Sequence, residues 1–298
     1  MRSIAILFIL SAVWWSGTGA AQAQRQAGEA FRDCETCPQM VVVPAGTFQM
    51  GSTEAETSRE GVPNPFAILE KPVHPVTIPQ PFAAAKFAVT WVEFNVFSRD
   101  TGTNPLGCWY WDAEAKTAKL DEERSWQFPG FPQTDFSQPV VCVSWDDAKK
   151  YTAWLSTKTG QRYRLLTEAE REYAARAGTK TARYWGNAIG SGNANCAGCG
   201  SRWDNKQTAP SGSFRPNAFG LYDMIGNAWQ WTEDCWNEGY QAAPTDGTAS
   251  TTGDCKHLVV RGGSWDYIPG NARAAIRVRL VTGYRDNNGG FRVARTLP

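Results

Sequence analysis

A pair of glycines lies among closely spaced arginines near the C-terminal end of the sequence. Gly262 and Gly263 follow Arg261 directly, and glycine permits a close backbone approach or a positive φ. A guanidinium group pairs bidentately with carboxylates and similar anions. These residues therefore predict either an anion-binding subsite or, as we favour, side chains that brace loops. The arginines of this region are Arg261, Arg273, Arg277, Arg279, Arg285, Arg292 and Arg295.

Eight cysteines are a second set of residues with distinctive chemistry. In an exported chain they indicate disulfides. The two Cys-x-x-Cys pairs leave a four-cysteine zinc site or a redox dithiol open as alternatives, although an oxidising compartment favours plain disulfides. Local spacing favours the pairs Cys34–Cys37, Cys108–Cys142, Cys196–Cys199 and Cys235–Cys255.

Histidine chemistry is limited, because the sequence contains only His74 and His257. Two histidines cannot supply a three-histidine iron site. Ser264 and His257 are not expected to act as nucleophile and base, because no nucleophile-elbow pattern surrounds Ser264. The sequence therefore indicates neither a serine hydrolase nor a histidine-bound iron enzyme.

The N-terminus has the pattern of a secretory signal. Arg2 precedes an apolar run from Ile4 to Trp15, and a small-residue cleavage site follows at residues 21–23. The run is shorter than the ~20 residues that a membrane span needs. We therefore predict a signal peptide at 1–23, a short lead-in at 24–38 and one domain at 39–298. The mature protein is expected to be periplasmic or secreted, with no membrane contact after cleavage.

Composition narrows the range of partners. The formal net charge is +1 and no basic run is present, so nucleic acid and anionic membranes are not expected partners. The 14 tryptophans suit the binding of flat or sugar-like ligands. We expect a monomer that binds a small-molecule or peptide ligand of unknown identity.

Three helices with N-terminal caps and a few short strands are expected to position these residues. Thr90, Ser144 and Thr167 are the predicted N-caps, each with an acidic residue three positions later. Glu168, Glu170 and Glu172 are interpreted as helix-capping and surface charge. Few long elements and many loops predict an α+β chain with little regular secondary structure. The predicted strands are 40–43, 73–78, 258–261 and 290–295.

An ordered series of segments resembles the formylglycine-generating enzyme (sulfatase-modifying factor) family. Each segment alone is a weak signal, but the ordered set is specific and covers the chain from Val41 to Ala294. The resemblance implies the fold of that family, an elaborated C-type-lectin-like fold. The segments that carry it are residues 42–51, 139–145, 163–170, 219–231 and 261–265.

The copper-binding cysteines of that family have no counterpart here. Members that oxidise a sulfatase cysteine carry two cysteines shortly after the Arg-Gly-Gly-Ser motif, where soft thiolates hold copper. Tyr267 and Ala272 take those places, and no cysteine follows Cys255. Tyrosine is a poor copper ligand at neutral pH, because its pKa is about 10. The resemblance therefore implies a relative without the copper site.

Calcium is the cofactor that the resemblance does imply. Asn227 matches the asparagine of the family's Gly-Asn-x-Trp-Glu-Trp motif, and Gln230 replaces its glutamate, which removes a charge. Asn195 and Asp204 map to a second family site. Such oxygens suit a hard cation. The alternative is that these side chains brace loops through hydrogen bonds.

The same resemblance implies a cleft beside the Arg-Gly-Gly-Ser segment. Three functions remain open for it: an oxidase-like enzyme of the siderophore (pyoverdine)-maturation type or a non-catalytic relative, a lectin-like binding module, or a formylglycine-generating oxidase despite the missing cysteines. A deep cleft where Asp266 and Tyr267 converge would favour chemistry, whereas a shallow aromatic face would favour binding. The residues implied to line the cleft are Ser264, Trp265, Asp266, Tyr267 and Arg273, with Trp229 or Trp231 nearby.

Overall fold

The computed structural model describes residues 25–133 and 135–298. The signal peptide predicted at 1–23 lies outside these residues. In the described ranges, no helix combines the length and apolar character required to cross a bilayer. Part of the predicted lead-in belongs to the fold, because its strand Ala30–Phe31 pairs with Met40–Val43.

Short strands connected by long irregular segments make up most of the described chain. This agrees with the α+β class expected from the sequence. The strands are β1 (Ala30–Phe31), β2 (Met40–Val43), β3 (Gly46–Met50), β4 (His74–Ile78), β5 (Phe82–Ala85), β6 (Leu106–Asp112), β7 (Thr117–Ser125), β8 (Tyr163–Leu165), β9 (Trp229–Trp236), β10 (Asp254–Arg261), β11 (Arg277–Val281), β12 (Gly289–Phe291) and β13 (Val293–Thr296).

Helices are few, and three of them begin at the predicted caps. Thr90, Ser144 and Thr167 each form a capping box with the acidic side chain three residues later, which satisfies backbone N–H groups that a helix start leaves free. The helices are α1 (Glu54–Arg59), α2 (Asn64–Ala67), α3 (Trp91–Thr101), α4 (Trp145–Thr159) and α5 (Glu168–Arg176), with 3₁₀ turns at Ile68–Glu70 and Pro269–Asn271.

A five-stranded antiparallel sheet, in the order β1-β2-β5-β13-β8, lies at the centre of the core. Strand β2 reads Met-Val-Val-Val and is buried along its whole length. Its side chains alternate between two cores, because successive residues of a strand point to opposite faces. Met40 and Val42 pack with α3 and α4, whereas Val41 and Val43 pack with α5.

A second sheet, in the order β11-β10-β9-β12, leads the chain into the Arg-Gly-Gly-Ser segment. Strand β10 runs antiparallel to β9 and β11, while β12 runs parallel to β9. Two further two-stranded antiparallel sheets are formed by β3 with β4 and by the β6–β7 hairpin. The sequence did not predict β9 or the β6–β7 hairpin, and the strand expected at 290–295 is two strands.

Four disulfides cross-link the irregular segments. They join Cys34 to Cys37, Cys108 to Cys142, Cys196 to Cys199 and Cys235 to Cys255. These are the pairs that local spacing favours. All eight cysteines of the sequence are used in them.

The glutamates of α5 are buried, so the interpretation of Glu168, Glu170 and Glu172 as surface charge is wrong. Glu172 is fully buried and accepts hydrogen bonds from two arginines, Arg176 and Arg261. The remaining two form ion pairs as well, Glu168 with Arg277 and Glu170 with Arg164. Buried carboxylates need such partners, because an unpaired charge in the interior is strongly destabilising.

Candidate functional site

The glycine pair turns the chain sharply at the end of β10. Gly262 and Gly263 have φ of 106° and 81°, a region that side-chain-bearing residues rarely adopt. A Cβ on Gly263 would lie 2.6 Å from the carbonyl oxygen of Asn271, so the turn requires glycine there. Arg261 is fully buried just before the turn and is anchored by its ion pair with Glu172.

Asp266 follows this turn, and hydrogen bonds from two segments hold its carboxylate. The Ser264 hydroxyl donates to Oδ1 at 2.6 Å, and the Asn288 side-chain amide donates to Oδ2 at 2.8 Å. Asn288 is itself fixed, because its backbone carbonyl accepts a hydrogen bond from the Trp229 N–H at 2.8 Å. The Arg-Gly-Gly-Ser segment and the segment before β12 therefore meet at Asp266.

A cleft of about 570 Å³ opens beside these residues, with Asp266 and Tyr267 both on its wall. Its volume suits an organic ligand of moderate size. The acidic and amide groups of the cleft lie among rings, an arrangement that can bind a flat group and present oxygen acceptors to it. The aromatic residues of the wall are Tyr110, Trp111, Trp265, Tyr267 and Tyr284, and the polar residues include Asp266, Asp286 and Asn288.

The β6–β7 hairpin contributes Tyr110, Trp111 and Ala118 to the lining of the cleft and is attached to the body of the protein. The Cys108–Cys142 disulfide ties β6 to the segment before α4. The Trp109 N–H donates to the Arg285 carbonyl at 2.8 Å, and the Asn287 N–H donates to the Trp109 carbonyl at 3.0 Å. These bonds fix the hairpin against the chain on either side of Asp286.

Asp286 has the electrostatic environment of an acid–base group. Burial, together with the charge of nearby Asp266, raises its pKa to about 7. Burial also raises the pKa of Asp266, while the hydrogen bonds from Ser264 and Asn288 oppose that rise. A carboxyl group with a pKa near 7 exchanges protons readily at neutral pH, and strongly shifted groups in clefts are characteristic of functional sites.

Tyr267 remains a neutral phenol in this cleft. Burial and the charges of Asp286 and Asp266 raise its pKa to about 12. Tyr267 is 40% exposed, whereas Ala272, in the place that the resemblance gives to the second family cysteine, is 1% exposed and packs in the core. Neither position offers a thiolate, and every cysteine of the sequence is in a disulfide. The copper chemistry of the named enzyme therefore has no ligands at these two positions.

The structure brings together part of the predicted pocket. Trp265, Asp266 and Tyr267 line the cleft. Ser264 is fully buried behind Asp266, and Trp229 is buried with its ring packed against Tyr267.

Arg273 lies outside the lining of the cleft. It is fully buried and donates hydrogen bonds to both carboxylate oxygens of Glu70. The interpretation of this arginine as a brace for the loops is the one that matches its contacts. The residues that sequence reasoning missed are Tyr110, Trp111, Tyr284, Asp286 and Asn288; the Trp-Tyr-Trp run at 109–111 was the available signal.

The four candidate calcium ligands make hydrogen bonds within the protein. The Gln230 side-chain carbonyl accepts from Arg171 Nε at 2.9 Å and from Arg292 Nε at 3.0 Å, so the nearest partners of that oxygen are cations and it does not fit a calcium site. Asn227 Oδ1 accepts from the Ala209 N–H at 2.7 Å.

The second family site has a similar pattern of contacts. Asn195 Oδ1 accepts from the Ser201 hydroxyl at 2.7 Å, and Asp204 accepts from the Gly198 and Gly200 N–H groups. Across the described residues, no group of three or more His, Cys, Asp or Glu side chains is arranged to hold a metal ion. Calcium at Asn195, Asp204 and Asn227 stays a prediction.

Comparison with known proteins agrees with the fold. Residues 26–297 match the family described as "Sulfatase-modifying factor enzyme 1-like domain". The chain is 33% identical to inactive C-alpha-formylglycine-generating enzyme 2 of Bos taurus, over 86% of this chain and 87% of that protein. It is 31% identical to the formylglycine-generating enzyme of Thermomonospora curvata, over 76% and 82% of the two chains.

Among solved structures, PvdO from Pseudomonas aeruginosa is similar over nearly the whole chain. The TM-score is 0.79 with 38% identity, over 92% of this chain and 100% of that one. The match to the family extends from the first strands to the last and includes the Arg-Gly-Gly-Ser turn. The chain therefore belongs to the sulfatase-modifying factor (formylglycine-generating enzyme) family.

Proposed function

We propose that this chain is an exported oxidase-type enzyme of siderophore maturation, which acts on a flat fragment of a small peptidic precursor. The observation that carries the proposal is Asp286, a carboxyl group with a pKa of about 7 in an aromatic cleft next to Asp266. The similarity to PvdO from Pseudomonas aeruginosa, together with the siderophore-maturation branch that the family resemblance implies, supports the choice of substrate class. Four disulfides support export, because they are typical of oxidising compartments.

The proposed reaction is a two-electron oxidation with dioxygen as the electron acceptor. A C–H bond and a neighbouring N–H or O–H bond of the precursor are broken, and a new double bond joins the atoms that carried the hydrogens. The two electrons and two protons pass to dioxygen, which becomes hydrogen peroxide. The protein holds the ring that is oxidised and accepts a proton while the double bond forms.

Asp286 is the residue we assign to proton transfer. Its raised pKa leaves a substantial share of the carboxylate form at neutral pH, and a general base works best when its pKa lies near the operating pH. Hydrogen bonds from Ser264 and Asn288 fix the Asp266 carboxylate, which is a second hydrogen-bond acceptor beside Asp286. The rings of Trp111 and Tyr267 lie on the wall of the same cleft and orient a flat substrate by stacking.

The test is an oxidation assay with the purified mature chain and a reduced, chromophore-bearing siderophore precursor. We expect the protein to accelerate the appearance of chromophore absorbance, with one dioxygen consumed and one hydrogen peroxide formed per product. Asp286→Asn should reduce the rate at least ~100-fold, which is the lower range for loss of a general base. The matched control is Asp246→Asn, an exposed aspartate whose side chain accepts hydrogen bonds, among the described residues, from Thr248 alone.

A binding role without catalysis is the second candidate, and the rim of the cleft favours it. Trp111 is 60% exposed and Ile268 is 64% exposed, so the cleft opens onto an apolar surface that a larger ligand could cover. A precursor that binds without chromophore formation or dioxygen consumption would support this function over the oxidase. Formation of formylglycine on a sulfatase peptide would contradict both proposals.

A further inference from the structure

We propose that the group recognised in this cleft is a planar cation that carries several N–H donors, such as an amidinium or guanidinium group. This inference rests on the cleft of the proposed function and specifies the chemistry of its ligand. It concerns binding and does not require that oxidation takes place there.

The charges on the cleft wall have one sign. Asp266 and Asp286 line the cleft, and no lysine or arginine is among the described residues that line it. The arginine next to Asp286 in the sequence is engaged elsewhere, since Arg285 Nε donates to Asp147 Oδ2 at 2.6 Å. Two carboxylates without a cationic partner on the wall favour a positively charged ligand, because opposite charges attract strongly where water is limited.

Asn288 adds an unsatisfied acceptor. The residue is buried, with an exposed fraction of 7%, and its Nδ2 donates to Asp266. That bond leaves Oδ1 as the free end of the amide, and Oδ1 has no hydrogen-bond partner among the described residues. A buried acceptor without a donor is costly. Asn288 lines the cleft, so a ligand N–H group would supply the missing bond once the amide turns towards it, because Oδ1 itself is buried.

Aromatic faces complete the site. Trp111, Tyr267 and Tyr284 line the same cleft as the two carboxylates. The face of an aromatic ring attracts a cation, most strongly when the cation is partly removed from water. A planar cation can stack on such a ring and direct its in-plane N–H groups to the carboxylates, whereas a spherical ammonium gains less from stacking. The combination therefore favours a planar cation over a simple amine.

The experiment compares three probes of nearly equal size and shape: benzamidinium, benzamide and benzoate. Their dissociation constants for the mature protein are measured by calorimetry at about pH 8, where Asp286 is mostly ionised because its pKa is about 7. We expect benzamidinium to bind at least ~10-fold more tightly than benzamide, a factor that corresponds to about 1.4 kcal/mol. Benzoate should bind more weakly than benzamide.

Two variants locate the binding site. Asp286→Asn should weaken benzamidinium binding at least ~10-fold while benzamide binding changes little. Asp246→Asn, which removes the same charge on an exposed loop, should change neither. Thermal unfolding of each variant checks that the fold is intact, and the comparison of probes on the unsubstituted protein stands without any variant.

Each outcome bears on the inference. Equal binding of benzamidinium and benzoate, no measurable benzamidinium binding at millimolar concentration, or unchanged binding in Asp286→Asn would overturn it. In those cases the oxidation assay still decides the proposed function, because a neutral precursor could be oxidised in the same cleft. Conversely, selective benzamidinium binding without any oxidation would support the cation site and reject the oxidase.

Discussion

The ring of Tyr267 packs edge-on against Trp229, with ring centroids 5.4 Å apart and planes at 88°. Trp229 is buried at the start of β9, so it provides a fixed surface for a residue on an irregular loop. Tyr267 stands where the family resemblance places the first copper-binding cysteine. The position has therefore become part of an aromatic wall, and its phenol stays neutral because its pKa is raised to about 12.

Replacement of Tyr267 should separate the role of the ring from that of the hydroxyl. Tyr267→Phe keeps the edge-to-face contact, so we expect the unfolding temperature and the oxidation rate to stay near those of the unsubstituted protein. Tyr267→Ala should lower the free energy of unfolding by about 1 kcal/mol, or about 2–4 °C in unfolding temperature. An equal loss in both variants would show that the hydroxyl matters instead.

The pH dependence of oxidation should follow Asp286. Its carboxylate form is needed to accept a proton, and its pKa is raised to about 7. The rate should therefore rise as the pH increases through about 7 and then level off. The other ionisable groups that line the cleft are Asp266, Tyr110, Tyr267 and Tyr284. Burial raises the pKa values of Tyr267 and Tyr284, so these two stay neutral in this range. A flat profile between about pH 5 and about pH 9 would contradict the assignment.

The raised pKa of Asp286 should also affect how the stability difference between Asp286→Asn and the unsubstituted protein depends on pH. Between the ordinary aspartate pKa and about 7, Asp286 is still protonated in the folded protein but already ionised in the unfolded chain. The stability that this group contributes is therefore lost as the pH rises through that range. Relative to the unsubstituted protein, the asparagine variant should therefore gain stability between about pH 4 and about pH 8. Urea unfolding of both proteins at these two pH values measures the change, and a gain that shrinks with pH would contradict the sign.

The core of this fold was more predictable from sequence than its cleft. The buried run 40–43 and the caps at Thr90, Ser144 and Thr167 are local patterns, and the structure confirms them. Asp286 and Asn288 lie in a loop without periodicity, and their importance comes from contacts with residues about 20 positions away, such as Asp266. Local patterns carry no information on such contacts.

The buried arginines illustrate the same limit. Single arginines in a sequence give no sign of whether they are solvent-exposed or buried. Arg273 and Arg261 are fully buried because Glu70 and Glu172, from distant segments, reach them. The sequence correctly favoured a bracing role for such arginines, but the glutamate partners could be identified only in three dimensions.

Loss of the Arg273 side chain should damage the fold directly. Arg273 Nη1 lies 2.5 Å from Glu70 Oε2, and both side chains are almost completely buried. Arg273→Met leaves the Glu70 carboxylate without its partner, which should lower the free energy of unfolding by about 3–5 kcal/mol. Denaturant unfolding measures this loss. The double variant Arg273→Met/Glu70→Leu should recover part of it, and a double variant as unstable as the single one would contradict the explanation.

Gln230→Glu tests whether a carboxylate at position 230 is paired by the neighbouring arginines or by calcium. The new carboxylate would lie between Arg171 and Arg292, whose pKa values are both lowered by burial. Charge-assisted hydrogen bonds are stronger than neutral ones, so we expect a higher unfolding temperature that is unchanged by calcium or by a chelator. A calcium-dependent rise in the variant would show that the site accepts the cation after all.

Trp111 allows ligand binding in the cleft to be tested separately from folding, because this residue lies away from the core. It is 60% exposed on β6, where it pairs with Ala118, and both residues line the cleft. Trp111→Ala should therefore leave the unfolding temperature nearly unchanged and weaken precursor binding about 10-fold, the effect of losing about 1.4 kcal/mol of stacking. Leu120→Ala is the matched control, since Leu120 is 48% exposed on the same hairpin but does not line the cleft. Equal effects of the two substitutions on binding would mean that the hairpin acts through its general stability, and the ligand would then have to lie elsewhere.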